Sequence, residues 1–98
     1  MTTNAYNAAT QSRTAINAPN TWTAVEIPAG ASDALLAVEN QTATWRVSTD
    51  NGLNPATEGM FIAASGAVKW DGTSVDVITV YVSASVGSTH AVLIYTTG

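Results

Sequence analysis

Cysteine is absent from this 98-residue chain. Its absence removes disulfide staples and thiolate metal sites, so the fold must hold by packing alone, within one chain or between chains. Positive charge is almost as scarce. Arg13, Arg46 and Lys69 are the 3 cations, set against 7 carboxylates, and the net charge is −4. Three scattered cations cannot neutralise a phosphate backbone, which argues against a nucleic-acid partner, and the same shortage disfavours an anionic membrane surface. Charged residues of both signs make up only 10% of the chain, where an average soluble domain carries about a quarter. Thr, Ser, Asn and Gln supply the polarity instead. A coat so poor in Lys, Glu and Asp resembles the buried part of an interface. No apolar run approaches the roughly 18 residues that a membrane-spanning helix needs. The opening Met1-Thr2-Thr3-Asn4 has neither the basic nor the apolar region of a secretory signal, so export by that route is not expected.

What is present reads as one small domain with a modest core. Residues 1–20 stand apart: rich in Asn, Ala and Thr, with one charge, no period of 2 or 3.6, and Tyr6 and Ile16 as the main large apolar residues. This stretch reads either as a disordered terminus or as an extended N-terminal arm, near-neutral enough to lie along a neighbouring subunit. Residues 21–98 are expected to form an all-β domain. The segments 21–27, 34–39, 43–48, 60–63, 68–70, 75–82 and 91–95 are short and rich in β-formers, with turn signals at Pro28-Ala29-Gly30, Asn40-Gln41, Asp50-Asn51-Gly52, Ser65-Gly66, Asp71-Gly72 and Gly87-Ser88. About seven short strands at this spacing predict a small antiparallel β-sandwich or jelly roll. Asp71-Gly72 between two β-rich segments predicts a tight hairpin, and the uneven alternation of 21–27 allows a bulge there. The expected core is Trp22, Trp45, Val47, Phe61, Ile62, Trp70, Ile78, Val80 and Val82. The last two strands carry apolar residues on both faces, where an isolated sandwich needs one. Oligomerisation is therefore expected, with Val92, Leu93, Ile94 and Tyr95 shared between core and subunit interface.

Chemistry-bearing residues give little. His90 is the only histidine, stands just before a strand, and has no G-x-S-x-G partner sequence, so a catalytic triad is not supported. Paired carboxylates of the glycosidase kind need a cleft that so short a chain has little room for. Asp50-Asn51-Gly52-Leu53-Asn54 gathers oxygen ligands but lacks EF-hand spacing, and reads better as a plain turn. Trp22, Trp45 and Trp70 sit in alternating strands and read as core or interface before they read as sugar platforms. No catalytic residue, cofactor or metal site is expected.

The segments LLAVENQTATWRVSTD, GMFIAASGAVKW, VYVSAS and the closing AVLIY, following a polar N-terminal stretch, resemble the small structural proteins of tailed phages, of the capsid decoration (cement) or head fibre and spike type. The resemblance spans roughly residues 34–98. It implies a non-enzymatic jelly-roll subunit, a homotrimer bound to the major capsid protein or another virion protein and assembled in the host cytoplasm. The alternative it leaves open is a receptor- or carbohydrate-binding module of a fibre or spike. The residues expected at interfaces are Tyr6, Arg13, Ile16, Tyr81, Leu93 and Tyr95.

Overall fold

The computed structural model describes residues 9–40 and 42–97. Among them are eight strands and no helix: β1 Thr10–Ile16, β2 Thr23–Ile27, β3 Ala31–Val38, β4 Trp45–Ser48, β5 Met60–Ile62, β6 Ala67–Thr73, β7 Ile78–Ala84 and β8 Thr89–Thr97. They build two four-stranded sheets, ordered β1-β8-β3-β6 and β2-β7-β4-β5. All pairings are antiparallel, and they couple first strand with last, second with seventh, third with sixth and fourth with fifth. The chain is thus one long hairpin rolled over on itself, with β3–β8 and β4–β7 sealing the roll. That is the topology of an eight-stranded jelly roll, and it confirms the all-β sandwich expected from the strand pattern.

Period-2 patterning explains which side each strand buries. In β2, Val25 and Ile27 are buried while Ala24 and Glu26 are exposed. In β4, Trp45 and Val47 turn inward. Ala34, Leu36 and Val38 of β3 meet Ala91 and Leu93 of β8 in the first sheet, and Val80, Val82 and Ala84 of β7 answer from the second. Trp45, Leu36, Leu93, Val80 and Ile16 are among the largest fully buried side chains. Each burial of this kind contributes roughly 1.5–3 kcal/mol.

Several expectations change. One strand more than expected, β1, lies inside the stretch read as an arm. Thr10–Ile16 pairs along its length with Tyr95–Thr89 of its own chain, and Ile16 is 0% exposed in the core. Its low apolar content hid it: an edge strand that covers little needs few apolar residues, and here one isoleucine anchors it. Domain and arm therefore do not divide at residue 20.

The Asp71-Gly72 hairpin is also corrected. β6 and β7 lie in different sheets, and Asp71-Gly72 falls within β6. Between the pairs Ser32↔Thr73 and Ala34↔Trp70, β3 spends one residue, Asp33, where β6 spends two. Asp33 sits at φ 51° and Gly72 at φ 89°. Positive φ serves a bulge as well as a tight turn, so the same dipeptide signals both. Conversely β2 pairs with β7 in unbroken register, without the bulge allowed there.

The expected strand 75–82 is shifted to Ile78–Ala84, leaving Val75 87% and Val77 55% exposed in the connection from β6. Of the expected core, Trp45, Val47, Val80 and Val82 are buried, and Ile62, Trp70 and Ile78 pack against them half-buried. Phe61 is 54% exposed on the outer face, and Trp22 is half-buried under a loop, so neither belongs to the core.

Candidate interaction surface

Three surfaces are candidates for an interaction site. The first is the outer face of the β2-β7-β4-β5 sheet. The 49–59 loop folds across it, and its own polar groups build it. Asp50 Oδ1 accepts from the Gly52 N–H at 2.8 Å, Asn54 Oδ1 from the Ala56 N–H at 3.0 Å, and Glu58 Oε1 from the Asn54 N–H at 2.7 Å. Two of the oxygens that suggested a cation loop, Asp50 Oδ1 and Asn54 Oδ1, thus accept from backbone donors. No group of three His, Asp or Glu is placed to hold a metal ion among the described residues.

Two side chains fasten the loop to the sheet. Trp22 donates its indole N–H to the Leu53 carbonyl at 2.8 Å. Ser83, buried on β7, donates to the Pro55 carbonyl at 2.8 Å. At the loop's margin the Arg46 guanidinium lies 5.0 Å from the centroid of the Phe61 ring, a cation–π contact. Beside it opens a polar pocket of about 90 Å³, edged by Asn20, Thr44, Pro55 and Ser85.

The second surface is the outer face of the β1-β8-β3-β6 sheet. Register places Arg13, Val92, Ala37 and Ala67 in one row, and Gln11, Ile94, Leu35 and Lys69 in the next. Val92 and Ile94 are half-buried and Leu35 is 37% exposed. Arg13 donates to both oxygens of Glu39, at 2.6 and 2.9 Å, and His90 Nδ1 lies 3.8 Å from the same carboxylate. The guanidinium beside Glu39 holds that carboxyl below the usual glutamate range, chiefly through the hydrogen bond.

The third surface is where the two sheets part along β5 and β6. A groove of about 250 Å³ opens there, lined by Met60 of β5, Val68 and Trp70 of β6, and Val47 and Val80 from the floor. Met60 is 53% exposed, and Phe61 stands beside it. β5 and β6 each end their sheet's order, so their outer backbone edges have no strand beside them among the described residues.

The six residues expected at interfaces separate on this map. Ile16 and Leu93 are fully buried within their own chain and offer nothing to a neighbour, which corrects their place among the interface residues. Their burial follows from register: both face the opposite sheet, while the alternate residues of the same strands face out. Arg13 is exposed but tied to Glu39. Tyr95 packs half-buried against the core. Tyr81 is half-buried on the outer face of β7, between Ala24 and Ser48. Tyr6 lies outside the described residues.

Sequence reasoning missed the β5/β6 opening, because Met60-Phe61-Ile62 reads as a buried run. Its clue was Lys69-Trp70-Asp71, where an aromatic flanked by opposite charges marks one wet and one apolar face. No family model matches the chain, and comparison with curated proteins and with solved structures finds no match either.

Proposed function

We propose that this chain is a non-enzymatic structural subunit of a tailed-phage virion, a decoration or cement protein that covers and stabilises a capsid. Its partners in this reading are copies of itself and the major capsid protein or another virion protein. The observation that carries the reading is the open β5/β6 side of the jelly roll. Among the described residues an apolar groove and two strand edges stand uncovered there, and such edges are ordinarily blunted or covered. The sparse charge of the surface and the apolar outer residues Leu35, Val92 and Ile94 agree with burial in an assembly. Jelly rolls build viral capsid domains, a support at the level of fold analogy.

Immunogold labelling of purified virions, from the phage whose genome encodes the chain, tests this. Regular label over the head is the expected result. Virions without label, with the chain recovered only from the lysed host, would remove the proposal.

One observation favours a second reading, a glycan-binding module of a fibre or spike. The Phe61 ring is exposed beside the polar pocket of Asn20, Thr44 and Ser85, and aromatic faces edged by polar groups suit sugars. Label at the tail tip, with glycan-dependent quenching of the tryptophans, would put this reading first.

A further inference from the structure

We infer that β6 is a self-pairing edge: two copies of this chain join antiparallel along it, about a twofold axis that passes through Trp70. The inference is independent of where on a virion the chain sits, since it concerns the purified chain alone.

The charge order of the strand carries it. β6 is the last strand of its sheet and reads AVKWDGT. Lys69 and Asp71 flank Trp70 and turn to the outer face, 64% and 80% exposed and only 3.4 Å apart within one chain. In an antiparallel pair centred on Trp70, Lys69 of each copy falls directly opposite Asp71 of the other. Two cross-strand ion pairs form together with the one pair within each chain, giving four charges of alternating sign. Shifting the centre by one residue in either direction sets like charges facing each other, or charges facing apolar residues, so the register is specified. Opposed unlike charges favour a strand pair and like charges oppose it. A contact built from one patch meeting itself closes at two copies.

The inner face agrees. Trp70 meets Trp70 across the axis. A Cβ at Gly72 would touch nothing within 4 Å, so space lies open beside the indole there. The groove of Val68, Trp70 and Met60 then runs on from one copy into the next. The exposed Met60 and Phe61 of β5, on the same side of the roll, are carried toward their counterparts. The bulge at Asp71-Gly72 limits the paired stretch to a few residues, which makes the charge order count for more.

Sedimentation equilibrium on the full chain and three variants tests the inference. Lys69→Asp leaves only carboxylates facing carboxylates, and Asp71→Lys only ammonium groups facing ammonium groups. Each alone is expected to weaken the dimer roughly ten- to hundredfold. An equimolar mixture of the two variants is expected to recover a dimer, and so is the doubly exchanged chain. Both positions are exposed, and circular dichroism checks that each variant is folded. A wild-type chain that stays at 10.1 kDa across the micromolar range would overturn the inference. So would an oligomer of any size, the expected trimer included, whose mass ignores the single variants. In either case the virion labelling is unaffected.

Discussion

Arg13 and Glu39 form a two-pronged ion pair between strands that are not neighbours: the guanidinium of β1 reaches across β8 to the residue just after β3, at 2.6 and 2.9 Å. It ties β1 to the sheet from outside, as Ile16 does from inside. Both groups are solvent-exposed, so the pair locates β1 more than it stabilises the fold.

Its pH dependence follows from the sign of the shift. Glu39 is held below the ordinary glutamate value by the hydrogen bond from Arg13. Its contribution is therefore complete above the unfolded-state pKa and disappears as pH falls through the folded-state value. Thermal unfolding should show a small acid-side loss in the wild type below the usual glutamate range. Glu39→Gln should lack that loss, and high salt should shrink it.

Ile16→Ala should cost about 2–5 kcal/mol, the range for truncating a fully buried aliphatic residue. Urea unfolding would show it as a lower midpoint at unchanged slope. An N-terminal stretch that does not belong to the domain would show almost none of this loss.

Trp22→Phe removes the donor to the Leu53 carbonyl while keeping most of the ring. The expected cost is about 1 kcal/mol, concentrated in the loop. Limited proteolysis should then cut within residues 49–59 faster than in the wild type, with the sandwich strands still protected.

Gly59→Ala should be worse than its size suggests. The residue holds φ at 90°, and an added Cβ would come within 2.9 Å of the Trp22 ring and 3.2 Å of the Val47 carbonyl. The backbone conformation alone costs a non-glycine residue about 1–2 kcal/mol, and the indole must move as well. Lower stability together with a shifted tryptophan emission is the expected outcome.

Strand existence was legible in this sequence wherever β-branched residues sat between turn signals, as in Thr23–Ile27 and Ile78–Ala84. β1 was not, because TQSRTAI carries one buried residue and owes its place to pairing with β8. Pairing partners were not legible either. Asp71-Gly72 announces positive φ, but whether a hairpin or a bulge uses it depends on which strand lies opposite, here β3 across a long sequence separation. The apolar excess of β8 was legible on both faces, but which face points outward was not: register turns Val92 and Ile94 out and sends Leu93 inward. The β5/β6 groove came from topology alone, since Met60, Val68 and Trp70 meet only when the two sheets end on the same side.

In the proposed role, this jelly roll is covered by other protein on a virion. Quantitative mass spectrometry of purified, intact virions measures that directly. A fixed copy number, in simple proportion to the major capsid protein and retained through density-gradient purification, is the predicted result. Copies that fall away with each purification step, while the capsid protein stays constant, would contradict it.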